Sequence, residues 1–191
     1  MAARDSSDTH RDGLARELLD GRTILVTGQV DERLAERTMA KLLLLDQRSA
    51  DPILMILSSP GGHVESGFAI HDVMRFIKAP ITTVGAGWVA SIAVPILFAA
   101  PKEKRFALPN TRFLIHQPWS SFSQGQASDI SIMAKELLKL RDRLNEMIAD
   151  ETGQDVDKVR RDSDRDYWLN AEEAREYGLV TRIVTTIGET A

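Results

Sequence analysis

Ile53-Leu54-Met55-Ile56-Leu57 is an unbroken apolar run, the pattern of a strand buried on both faces. The turn Pro60-Gly61-Gly62 follows, and then Val64, Phe68, Val73 and Ile77 mark a helix. Pro80 breaks that helix, and Ile81 to Gly85 reads as the next strand. The same alternation continues on either side. Arg22 to Gly28 is expected as a first strand ended by glycine, with Asp31 as N-cap of a helix through about Gln47. Leu34, Met39, Leu42, Leu43 and Leu45 are its apolar residues. Short strands are expected at Arg105–Leu108 and Thr111–Ile115, and a last one at about Val180–Val184. Strands alternating with helices indicate an α/β domain, and 191 residues suffice for one real core.

Bulk properties narrow the function classes. The net charge of −4 gives no basic footprint for nucleic acid. The absence of cysteine removes disulfides, thiol catalysis and CxxC motifs together. Residues 1–12 are polar, without the apolar core of a signal peptide, and are expected to be disordered or partner-dependent. The longest apolar run, Ile92 to Ala100, is far too short for a membrane span and contains Pro95. A cytoplasmic protein with no membrane partner is the expectation.

A long helix is expected from about Ser128 to Glu151, after a polar loop over Ser120–Gln126. Ile130, Met133, Leu137, Leu140, Leu144 and Met147 are spaced 3, 4, 3, 4, 3, an apolar seam that Leu138 and Ile148 widen. The spacing fits a core-facing helix or one packed against another subunit, and leaves both open.

Chemistry-bearing residues fall at the ends of these strands. Val84-Gly85-Ala86-Gly87-Trp88-Val89-Ala90 leads into Ser91, where an apolar helix begins. A strand-to-helix turn there can hold a serine hydroxyl as nucleophile, provided that a base takes its proton. Four histidines are available. His10 lies in the polar tail, and His71 is mid-helix and expected on the surface. His63 follows the Gly-Gly turn, and His116 ends the strand Thr111–Ile115, where functional groups are often displayed. Arg160 to Trp168 offers Asp162, Asp164 and Asp166 to orient a base, and spacing does not choose among them. The Gly61-Gly62 turn reads either as a tight connection needing positive φ or as a source of backbone N–H groups for an oxyanion. The P-loop, GxGxxG, GxSxG and HExxH patterns are absent.

Taken together, the motifs resemble the proteolytic subunit family of the caseinolytic (Clp) ATP-dependent protease. The stretches that carry the resemblance include Val26-Thr27-Gly28-Gln29-Val30, Ser59-Pro60-Gly61-Gly62, Ala90-Ser91, Lys104 to Asn110, Ile115-His116-Gln117-Pro118, Gln124 to Ile130, Arg161 to Asp166 and Glu172 to Val180. They follow the family order from about residue 20 to 184. The resemblance implies a crotonase-like α/β fold (Clp protease type), a single domain over 21–191, with 1–20 as a flexible axial segment. It implies catalytic Ser91, His116 and Asp166, an oxyanion hole at Gly62 and Ile92, and a ring–ring contact at Asp164 and Arg165. Leu54, Ile56 and Phe106 would form the unfoldase pocket. It also implies two stacked heptameric rings, a tetradecamer, with the long helix at the ring–ring contact. The implied activity is a serine endopeptidase cutting unfolded polypeptides in a chamber fed by a Clp-type AAA+ unfoldase. No metal or organic cofactor is expected, and ATP would be used by the unfoldase.

Several positions depart from the family pattern. Trp88-Val89-Ala90 and Ser91-Ile92-Ala93 stand where Gln-Ala-Ala and Ser-Met-Gly are usual. Ser120 to Ser123 carry one extra residue, and Leu54 and Ile56 replace tyrosines, while Phe106 is kept. The N-terminal segment lacks the apolar start. That last departure motivates an alternative, a low-activity structural or regulatory subunit co-assembling with an active paralogue. A third reading, an acyl-CoA enzyme of the same fold class, conflicts with the Ser–His–Asp set.

Overall fold

The computed structural model describes residues 6–118 and 126–190. The expected polar loop therefore lies outside the described residues up to residue 125, and so does the insertion at 120–123. From Ser6 the chain is helical, where the sequence reading assigned no helix. This helix, α1 (Ser6–Asp20), leaves Leu14 and Leu18 exposed and packs Leu19 against the core.

Seven strands form one sheet: β1 (Thr23–Thr27), β2 (Ile53–Ser59), β3 (Ile81–Ala90), β4 (Arg105–Ala107), β5 (Arg112–Ile115), β6 (Tyr167–Leu169) and β7 (Arg182–Ile183). The parallel order is β1-β2-β3-β4-β7, with β5 parallel beside β3 and β6 antiparallel to β5. Helices α2 (Glu32–Arg48), α3 (Val64–Phe76), α4 (Ala93–Leu97), α5 (Ala127–Thr152), α6 (Val156–Asp162) and α7 (Ala171–Tyr177) complete the domain. Asp31 caps α2 as expected, its side chain accepting from the Leu34 N–H.

The sheet forks at β3, and the fork places the site. The first half of β3 pairs with β4 (Thr83 opposite Arg105), and the second half with β5 (Ala90 opposite Leu114). Between the halves, Leu57 of β2 faces Gly85 while Ser59 faces Val89, so β3 carries two extra residues in a bulge. Gly87 turns there at φ +65, a conformation that costs an L residue with a side chain.

β2 is not buried equally on its two faces. Ile53, Met55 and Leu57 sit in the main core, whereas Leu54, Ile56 and Ser58 are half-buried. The second face is covered only by the small cluster Val84, Phe106 and Val184, against which Leu54 packs. His71 departs from its expected surface position, being 7% exposed. The C-terminal half of α5 lies over this face of α3: Arg143 stacks on Phe68 at 4.1 Å, and Arg143, Glu146 and Met147 share a cleft with His71. The His71 ring bonds the Asp72 carboxylate at 2.8 Å.

Two short helices escaped the sequence reading. Asn170 and Glu173 close a reciprocal capping box on α7, and the Asp155 side chain caps α6. Tyr177 of α7 donates to Asp162 at 2.9 Å, and burial, with Asp162 second, pushes its phenol pKa well above the usual value. It is therefore a neutral donor across the physiological range.

Buried Arg105 ties the helix after Ser91 to α5. Its Nε donates to the Ala100 carbonyl at 2.7 Å, and its Nη2 donates to the Phe98 carbonyl and to Glu151 at 2.9 and 2.6 Å. Arg75 donates to the same Phe98 carbonyl and to the other Glu151 oxygen. Burial pulls the Arg105 pKa down, and the bond to Glu151 holds it up. Glu151→Ala leaves a guanidinium buried without its counter-charge and is expected to cost about 3 kcal/mol. Urea unfolding checks this, and a midpoint equal to wild type would contradict it.

Candidate active site

The Pro60–Gly62 turn is tied to Val30, in the segment that follows β1. The Val30 N–H donates to the Gly61 carbonyl, and the His63 N–H donates to the Val30 carbonyl, both at 2.8 Å. The Gly61 N–H donates to buried Ser59 Oγ at 3.1 Å. Gly61 has φ +87, and a Cβ there would lie 2.6 Å from both the Ala90 carbonyl oxygen and Ser91 Cβ. Glycine is needed twice over, for its backbone angle and for this close approach.

Ser91 itself has φ +56, which is uncommon for a residue with a side chain. Two bonds fix it: its N–H donates to the Leu114 carbonyl at 2.9 Å, and its own carbonyl accepts from the Val94 N–H at 3.0 Å. Such a backbone stores about 1–3 kcal/mol and persists because neighbours over-determine it. The turn lifts the hydroxyl off the strand end ahead of α4. The N–H groups of Gly62 and Ile92 donate to no carbonyl or side chain among the described residues.

His116 follows β5, and Asp166 precedes β6. The antiparallel register pairs Ile115 with Tyr167, so the next step outward sets His116 opposite Asp166. His116 Nδ1 and Asp166 Oδ1 are 3.0 Å apart. Asp166 is mostly exposed, and His116 mostly covered. The strand end is anchored from below: the Gln117 N–H donates to the Ser163 carbonyl at 2.9 Å, and Ser163 Oγ donates to buried Asn145 of α5 at 2.9 Å. The Gln117 side chain donates to Asp164, and Arg165 beside it is exposed.

Ser91, Ile92 and His116 line one small pocket, walled by Pro118, Leu144 and Ile148. Ser91 Oγ has no hydrogen-bond partner among the described residues, His116 included. A larger groove of about 680 Å³ starts at Gly62 and runs between the start of α3 and one face of α5. Leu54, Ile56 and Phe106 lie away from this site; Phe106 is buried, with Arg182 stacked 4.8 Å over its ring. Among the described residues no group of three His, Asp or Glu is placed to hold a metal ion, and no helix is long and apolar enough to cross a membrane.

Of the three aspartates left open by spacing, the register selects Asp166; Asp162 bonds Tyr177 instead. Sequence reasoning assigned no role to Asn145, or to Ser163 within the Arg161–Asp166 stretch, because their pairing joins two distant elements. It read Leu144 and Ile148 as seam residues, and they are also pocket wall.

A nucleophile position, an imidazole oriented by a carboxylate and two unengaged amides are the parts of acyl transfer. The Gly61–Ser91 approach is expected to be the geometric weak point. Gly61→Ala should push Ser91 aside and lower turnover of an activated ester about 100-fold. Far-UV circular dichroism should stay unchanged, and wild-type turnover in this variant would contradict the assignment.

Comparison with known proteins follows the same lines. A family model described as Clp protease matches residues 6–187. The chain is similar to ATP-dependent Clp protease proteolytic subunit 3 of Rhizobium meliloti, 52% identical over 172 residues, covering 90% of this chain and 88% of the relative. It is 50% identical to proteolytic subunit 2 of Treponema denticola, covering 90% and 86%. Among solved structures, a point mutant of ClpP1 from Listeria monocytogenes superposes with a TM-score of 0.86 at 44% identity, over 93% of this chain and 99% of that one.

Proposed function

The chain belongs to the Clp protease family, and we propose that it serves there as a serine endopeptidase that cuts unfolded polypeptides with Ser91, His116 and Asp166. The observation that carries this reading is the His116–Asp166 contact of 3.0 Å on a ring that shares one pocket with Ser91.

Ser91 Oγ attacks the scissile carbonyl carbon while His116 Nε2 takes its proton. The new oxyanion is received by the Gly62 and Ile92 N–H groups, which have no competing acceptor among the described residues. His116 then returns the proton to the leaving amine, and the acyl-enzyme forms. Water, deprotonated by the same imidazole, releases the second product. Asp166 holds Nδ1–H, so that Nε2 is the basic nitrogen facing the serine. The Ser91–His116 bond closes on substrate binding, in keeping with the loose catalytic hydrogen bonds common without substrate. None of these steps needs a cofactor.

The assembly reading rests on α5. Its N-terminal half projects from the domain and exposes Ile130, Ile132, Met133 and Leu138. A bare apolar helix face of this kind fits a contact with a second copy, and Asp164 and Arg165 lie on the exposed loop that precedes Asp166. In this reading two stacked rings enclose the sites, and a Clp-type unfoldase supplies unfolded chain at the cost of ATP. Half-buried Leu54 and Ile56 would receive its loops; Phe106, expected beside them, is buried beneath Arg182 and could only back that surface.

Ser91→Ala is expected to abolish peptide cleavage, by roughly ten-thousand-fold or more, and His116→Ala to be comparably severe. The double variant should be no worse than either alone, because the pair acts as a unit. Hydrolysis of a fluorogenic peptide is the measurement, and near wild-type turnover by Ser91→Ala would overturn the reading.

A further inference from the structure

The 680 Å³ groove is continuous with the Ser91 pocket, because Val64 and Pro118 line both. Its floor is apolar, from Met133, Leu137 and Leu140 of α5, and its rim is charged. The rim charges differ in how they are satisfied. Glu136 bonds Lys139 Nζ at 2.7 Å. The Arg143 guanidinium stacks 4.1 Å over the Phe68 ring. Glu65 has neither arrangement. Its one ion-pair-range contact among the described residues is His63, with Nε2 3.7 Å from its carboxylate.

His63 Nδ1 bonds buried Ser66 Oγ at 2.8 Å, which fixes the ring beside Glu65. No lysine or arginine among the described residues pairs with the Glu65 carboxylate. Glu65 lies in the first turn of α3, where the helix end favours an anion. A negative charge on the wall of a cleft acts on what enters it more than the same charge on a convex surface.

We propose that Glu65, on the rim of this groove, is a specificity-determining residue that selects a lysine or arginine side chain of the substrate beside the scissile bond. This assignment rests on the peptidase reading above. It places the site three residues from the Gly62 amide, on the rim of the same groove. The substrate stem lies along the apolar floor, and its cationic head reaches Glu65.

The test uses the assembled protein and matched fluorogenic peptides with lysine or norleucine at each position flanking the scissile bond. At low salt the wild type is expected to favour lysine about threefold in kcat/KM at one such position, as fits an exposed ion pair. The preference should shrink as ionic strength rises. Glu65→Gln should bring the ratio at that position to about one, and Glu65→Lys should invert it. A wild-type ratio of one at every position, or a preference that survives Glu65→Gln, would overturn this assignment and leave the peptidase reading standing. No cleavage of any peptide by the wild type would overturn the peptidase reading and this assignment with it.

Discussion

Two turns meet at the carboxyl end of a parallel sheet, and there is no room between them for a single carbon atom. Gly61, leaving β2, packs its backbone against Ser91, leaving β3, so closely that a Cβ would sit 2.6 Å from the serine side chain. That contact sets the Gly62 amide beside the serine. Ser91 has an unusual backbone there, with φ of +56, held from both sides by bonds to Leu114 and Val94. A parallel α/β sheet offers its loop-rich carboxyl edge for such a junction. Here the edge is narrowed to a point by the bulge at Gly87, which bends β3 away from β4 and toward β5.

The imidazole of His116 and the Asp166 carboxylate are brought together by a different device. β5 and β6 form the one antiparallel pair in the sheet among the described residues, and their register sets His116 opposite Asp166. Beneath them, Ser163 and Asn145 link the loop carrying Asp166 to α5, the helix whose far half exposes Ile130, Ile132, Met133 and Leu138. Helix and loop positions are thus joined through a buried polar contact, and the exposed Asp166 carboxylate passes that link on to the imidazole. Replacing one such partner leaves the other unsatisfied, at a cost of about 1–3 kcal/mol.

Much of the architecture was legible because strand ends announce themselves. Pro60-Gly61-Gly62, Pro80 and the small residues before Ser91 bracket the strands, and Asp31 caps α2 as its side chain suggests. Three features were not. Five apolar residues in a row cannot say whether both faces of β2 are equally covered; only Val84, Phe106 and Val184 back the second face, so Leu54 and Ile56 stay half-buried. α6 and α7 are seven residues each, too short for periodicity, although Asp155 and the Asn170–Glu173 box marked their starts. His71 looked like a surface residue because its cover comes from α5, more than 70 positions on in the chain. At the site, Ser91 and His116 stood out as strand-end residues. Asp166 could be told from Asp162 and Asp164 by family resemblance but not by spacing, since the choice depends on a strand register that no local pattern reveals.

In the proposed function, the strained turn after β3 makes Ser91 a nucleophile served by His116. The most direct measurement is mass-spectrometric mapping of the adduct formed with a fluorophosphonate, which reacts with activated serines and not with ordinary ones. The account requires one adduct per chain, on Ser91, formed far more slowly when His116 is replaced by alanine. An unmodified Ser91, or labelling at Ser91 that does not depend on His116, would contradict it.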